Sequence, residues 1–142
     1  MDDNIPGKSQ HSWLGRGAFR KFEITEGVID RFARLSGDLS PIHMDDAAAQ
    51  ERGLRKRVAH GALQAAFLSS IVGMDLPGPD GLLQSLSLQF RRPCYAGETL
   101  SMHLKVAEVH ESVRTVILKV KILNQDGELV ASGRVQSGVT RW

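Results

Sequence analysis

Wound as a helix, residues 59–76 are apolar on nearly every side. Leu63, Ala66, Phe67, Ile71 and Met74 recur at helical spacing, and Ala62, Ala65, Leu68 and Val72 fill much of the remainder. A helix with no polar face belongs inside a core. Ser69 and Ser70 interrupt the run, and it falls short of the ~20 apolar residues of a membrane span. After Gly81 the period changes to two. Leu86, Leu88 and Phe90 alternate with Ser85, Ser87, Gln89 and Arg91, and Leu100, Met102, Leu104 and Val106 with Ser101, His103 and Lys105. Val116, Leu118, Val120 and Ile122 alternate with Thr115, Lys119 and Lys121, and Leu129, Ala131, Gly133 and Val135 with Val130, Ser132, Arg134 and Gln136. These are strands with one dry face. Asn124-Gln125-Asp126-Gly127 predicts a hairpin turn and His110-Glu111-Ser112 another. The alternation slips at Ala107-Glu108-Val109, as at a bulge, and Pro93 ends a strand or marks an edge.

Upstream, residues 13–22 are a candidate first strand, with Leu14, Ala18, Phe19 and Phe22 as apolar anchors. Thr25 is an N-cap, Glu26 sits in the first turn, and Val28, Ile29, Phe32 and Leu35 form a helical stripe that Gly37 stops. A polar loop, residues 38–43, precedes a short helix over 47–52 capped by Asp45 or Asp46. Helices followed by consecutive antiparallel strands make an α+β fold, with a sheet curled around the one long helix.

The length of 142 residues fits one domain spanning the chain, with residues 1–10 as a loose lead. A chain of this size buries roughly 70% of its unfolded surface and needs no staples. With 18 basic and 16 acidic residues the net charge is +2, which leaves no nucleic-acid footprint. The one cysteine, Cys94, excludes an internal disulfide framework and fits a reducing, cytoplasmic setting. The first residues are polar and carry no apolar run, so no secretory signal is expected. No His, Cys and carboxylate spacing suggests a metal, and no Gly-rich loop suggests a nucleotide.

Asp38 and His43 are the first candidates for chemistry. If the turn through Pro41 brings them together, a carboxylate and an imidazole can hold one water and move its proton. The plainer reading makes Asp38 an Asx-turn residue and His43 an ordinary loop histidine. His60-Gly61 opens the long helix, where backbone N–H groups lack intrahelical partners and can meet developing negative charge. The basic residues Arg52, Arg55, Lys56 and Arg57 could face phosphates or an acidic protein, or form a solvated loop; Arg91 and Arg92 are a second option. His60 reads as shaping the helix start. His103 and His110 read as solvated, and Cys94 as a spectator.

The run Phe32-Ala-Arg-Leu-Ser-Gly-Asp-Leu-Ser-Pro-Ile-His-Met-Asp45, followed by Val58-Ala-His-Gly-Ala-Leu63, resembles the MaoC-like dehydratase family, which includes the (R)-specific enoyl-CoA hydratases. The likeness is good over residues 24–97 and only a pattern over the remaining strands. It implies a hotdog fold, a homodimer with sheets joined edge to edge, and a cofactor-independent hydro-lyase. Such an enzyme interconverts trans-2-enoyl and (R)-3-hydroxyacyl thioesters of coenzyme A or an acyl carrier protein. By the same resemblance Asp38 and His43 activate the water and the Gly61 N–H holds the thioester oxygen. Ser69 lies where the family carries a serine near the catalytic pair; its plainer reading is a hydroxyl bonded to its own helix. Leu63 and Phe67 are candidate walls for the acyl chain, and Arg55 and Arg57 candidate contacts for the carrier. The chain departs from the family at Ser40, where the usual residue is asparagine; serine donates and accepts but reaches less far. A hotdog thioesterase and a non-catalytic acyl-thioester-binding module are the alternatives.

Overall fold

The computed structural model describes residues 13–142; the expected loose lead over residues 1–10 lies outside them. Strand β1 (Gly17–Glu23) is followed by helices α1 (Glu26–Ser36), α2 (Pro41–Met44), α3 (Asp46–Glu51) and α4 (Gly61–Met74). Four strands complete the order: β2 (Gly81–Phe90), β3 (Thr99–His110), β4 (Thr115–Leu123) and β5 (Leu129–Val139). They form one antiparallel sheet in the order β1-β3-β4-β5-β2, so the strand that follows the long helix becomes the edge farthest from β1.

The period-two pattern decides which face is dry. Leu100, Met102, Leu104 and Val106 of β3 and Val116, Leu118, Val120 and Ile122 of β4 are buried in one cluster with Leu63, Leu68, Ile71 and Val72 of α4. Their neighbours His103, Lys105, Lys119 and Lys121 are exposed on the outer face. The bulge falls where the alternation slips, between Val106 and Glu108, and a second interrupts β2 between Leu83 and Ser85. Gly127, with φ 75, closes the β4–β5 hairpin, a conformation that strains other residues.

Several expectations need correction. Trp13 is buried in a turn ahead of β1 instead of starting it. Leu35 is 85% exposed: α1 buries Ile29 and Ala33, and its last turn projects past the core. Leu129 turns outward beside the hairpin, where register shifts between Ile122 and Leu123, while Val130 and Ala131 are both buried. Residues 41–44 form a helical turn, because Pro41 occupies its first position, where no N–H is needed. The long helix is not buried all round. Ala62, Ala66, Ser69 and Met74 are exposed, because the sheet covers only one side of it.

Candidate active site

Backbone bonds bring Asp38 and His43 together. Gly37 ends α1 in the left-handed region (φ 78), with its N–H on the Ala33 carbonyl. The chain then turns. The Ser40 N–H donates to Asp38 Oδ1 at 3.1 Å, and the His43 N–H to the Ser40 carbonyl at 2.9 Å. The single turn of α2 folds His43 back over this Asx turn and leaves its Nε2 3.8 Å from Asp38 Oδ2. That separation is too long for a direct hydrogen bond, but it lets one water reach both atoms through bonds of ~2.8 Å. Asp38 therefore makes the Asx turn with Oδ1 and leaves Oδ2 facing His43.

Tautomers follow from the partners. His43 Nδ1 lies 2.7 Å from the Val58 carbonyl, which only accepts, so Nδ1 carries a proton and the neutral ring presents its Nε2 lone pair toward Asp38. The His60 Nε2–H donates to the Asp38 carbonyl at 2.9 Å by the same logic. The His60 ring stacks on His43 with centroids 3.8 Å apart at 24°, and the Phe32 ring meets His60 edge-on at 4.9 Å. His60 thus braces both members of the pair, a larger part than shaping the start of α4. Asp38, His43 and His60 each bring one donor atom within 4.8 Å of the others, which no sequence spacing predicted. Each ring has one nitrogen on a carbonyl, Val58 for His43 and Asp38 for His60, and the buried His60 Nδ1 has no protein partner among the described residues.

Gly61 is the first residue of α4, where its N–H has no intrahelical acceptor. A Cβ there would lie 3.0 Å from the Phe90 ring, so the glycine lets the aromatic ring close over the helix start. A cavity of about 430 Å³ is lined by His43, Gly61, Gln64, Phe90, Arg91, Arg92 and Cys94, among others. A larger hollow, about 1000 Å³, opens on the outer sheet face beside Phe19 and Lys119 and holds none of the candidate residues. Burial pushes the Cys94 thiol up to about 12, helped by the charge of Glu98, so it stays protonated in the cavity wall.

The remaining candidates separate. Leu63 is buried in the core and Phe67 stacks on Phe22 at 4.2 Å; neither lines the cavity, because both face the sheet. Arg57 is no surface contact for phosphates. Its side chain is buried, Nε donates to the His43 carbonyl at 2.6 Å, and Nη2 pairs with Asp30 Oδ1. Arg55 is exposed, with its guanidinium 4.4 Å from the centre of the Tyr95 ring. Ser69 lies on the exposed side of α4 with no hydrogen bond to Asp38 or His43; the helix back-bond expected of it is made by its neighbour Ser70, to the Phe67 carbonyl. The Ser40 hydroxyl makes no capping bond. Asp30 and Phe90 went unnoticed as site residues, since nothing in their spacing marks them. Gln64 had a signal, as the one amide in the apolar run.

Residues 16–126 match the family described as MaoC like domain. The chain belongs to the MaoC-like domain family. It is 31% identical over 102 residues to the (R)-specific enoyl-CoA hydratase of Aeromonas caviae, covering 72% of this chain and 76% of that one. It is 37% identical over 92 residues to the (R)-specific enoyl-CoA hydratase of Rhodospirillum rubrum, covering 65% and 64%. A solved structure of an (R)-hydratase from A. caviae involved in PHA biosynthesis superposes with a TM-score of 0.87 at 27% identity, covering 92% of this chain and 99% of the other. This MaoC-like chain therefore has the hotdog fold of its structural neighbours. None of its helices among the described residues is long and apolar enough to cross a membrane.

Proposed function

We propose that this MaoC-like chain is a hydro-lyase that adds water to trans-2-enoyl thioesters and removes it from (R)-3-hydroxyacyl thioesters. The observation that carries the reading is the placement of two acceptors, Asp38 Oδ2 and His43 Nε2, 3.8 Å apart, with His43 in the same cavity as the Gly61 N–H. In hydration the pair holds one water and takes a proton from it as its oxygen bonds to the β-carbon. The electron pair of the double bond moves toward the thioester oxygen, where the Gly61 N–H and the α4 terminus meet the enolate charge. The proton then returns to the α-carbon. The step needs no metal or cofactor beyond the thioester itself.

The (R)-specific hydratases aligned above support the substrate class. Arg91 and Arg92 on the cavity and Arg55 nearby are cations suited to the phosphates of coenzyme A or the acidic surface of an acyl carrier protein. A homodimer is proposed on the β2 edge, where Leu82 is 59% and Phe90 51% exposed on a ten-residue strand, and on the bare side of α4. An edge that long and apolar calls for a partner strand. A cytoplasmic setting is proposed on the lone, buried Cys94.

The test is loss of the conjugated thioester absorbance of a short trans-2-enoyl-CoA. Asp38→Asn and His43→Gln are each expected to lower kcat by about 100-fold or more. Unchanged turnover in either variant would refute the assignment, and release of free thiol would mark a thioesterase instead.

A further inference from the structure

Gln64 has no task in the reaction just described, yet it stands in the same cavity. It is 2% exposed, and no protein group hydrogen bonds to its Oε1. It lines the cavity with His43, Gly61, Val58, Phe90 and Cys94. Three residues along the helix from Gly61, it sits about one turn on. Its amide thus lies in the cavity within one turn of the Gly61 N–H, within reach of an acyl chain that runs on from the thioester. A buried amide oxygen without a donor destabilises the fold, and leucine or methionine would fill the space without that cost. Arg91, bonded to Gln89, and Arg92, paired with Glu128, are exposed residues of the same cavity and suit phosphates, so the buried Gln64 is set to face the acyl chain.

We propose that Gln64 is a specificity-determining residue that hydrogen bonds a hydroxyl carried on the acyl chain beyond the double bond. The inference rests on the hydratase reading and narrows its substrate class to hydroxylated enoyl thioesters. A hydroxyl both donates and accepts, so it pairs with the amide whichever of its two ends faces inward. The apolar walls at Val58, Phe90 and Cys94 hold the hydrocarbon part of the chain.

The test compares trans-2-hexenoyl-CoA with its 6-hydroxy counterpart on the wild type, Gln64→Leu and Gln64→Met, with melting temperatures as the check on folding. The expected wild-type ratio of kcat/KM, hydroxylated over plain, is one or more. Both variants lower it about tenfold, mainly through KM, as one lost hydrogen bond in a dry pocket does. A ratio unchanged in both variants overturns the inference and leaves the hydratase reading standing. So does an equal fall in kcat for both thioesters with KM unmoved, which would assign the amide to bracing the site. No turnover of either thioester by the folded wild type would overturn the hydratase reading and this inference with it.

Discussion

Arg57 offers the sharpest test of how the candidate site is held. Its buried guanidinium joins Asp30 on α1 to the His43 carbonyl on α2. Arg57→Leu deletes two charge-assisted hydrogen bonds, each worth ~1.5–3 kcal/mol. It also strands the Asp30 carboxylate, whose side chain is 31% exposed. Breaking a fully buried pair costs ~3–5 kcal/mol, and partial hydration of Asp30 puts the loss at the low end, about 3 kcal/mol. At about 3 °C per kcal/mol for a chain of this length, Tm falls by about 9 °C. Arg57→Lys keeps the charge without the fork and loses about half as much. The double variant Asp30→Leu/Arg57→Leu removes the stranded charge, so it is more stable than the sum of the two single changes by about 1.5 kcal/mol or more. Thermal and urea unfolding at one fixed protein concentration measures these three variants and the single Asp30→Leu, since self-association would make Tm depend on concentration. The reasoning fails if Arg57→Leu shifts Tm by less than about 2 °C, or if the cycle shows no coupling.

A Cβ on Gly133 would lie 1.8 Å from the Ser87 carbonyl oxygen, backbone against backbone. Gly133→Ala therefore unpairs β2 from β5, costs more than about 4 kcal/mol, and leaves little folded protein on expression and gel filtration. The Cys94 thiol ionises only at about 12 in the fold, against an ordinary value of 9.0. Between these values the unfolded chain binds fewer protons than the folded one, so stability falls as pH rises. Urea titrations above about pH 9 should show the wild type losing ~1.4 kcal/mol per pH unit more than Cys94→Ala. Ser40→Ala keeps the backbone bonds that shape the loop and should hold kcat/KM within about threefold, whereas Ser40→Pro removes the N–H that Asp38 accepts and should abolish turnover.

Much of this architecture could be read from side-chain period and capping chemistry. Thr25 accepts from the Val28 N–H and Gly37 closes α1, as their residue types require. The slip at Ala107 became a bulge because a register error of one residue would turn the dry face of β3 outward. Contacts set by residues far apart stayed hidden. Nothing local ties Asp30 to Arg57, 27 positions away, or puts Phe90 over Gly61. The basic run 52–57 reads as uniform, but the fold buries Arg57 and leaves Arg52, Arg55 and Lys56 exposed. The apolar character of α4 was legible, but the cover for its outer side was not, because no segment among the described residues supplies it.

Asp38 shows how a turn can aim a candidate catalytic group. Its Oδ1 is held by the Ser40 N–H, and its backbone carbonyl by the His60 Nε2–H, so one bond orients the carboxylate and the other fixes the main chain that carries it. The free Oδ2 then faces His43, whose own ring is set by the Val58 carbonyl and the stacked His60. Every one of these restraints uses a backbone atom or a ring face, and none needs the Ser40 hydroxyl. The departure at position 40 therefore leaves the frame of the pair intact. In the proposed reaction the change falls on the side-chain donor offered to the water, a matter of rate more than of reaction class.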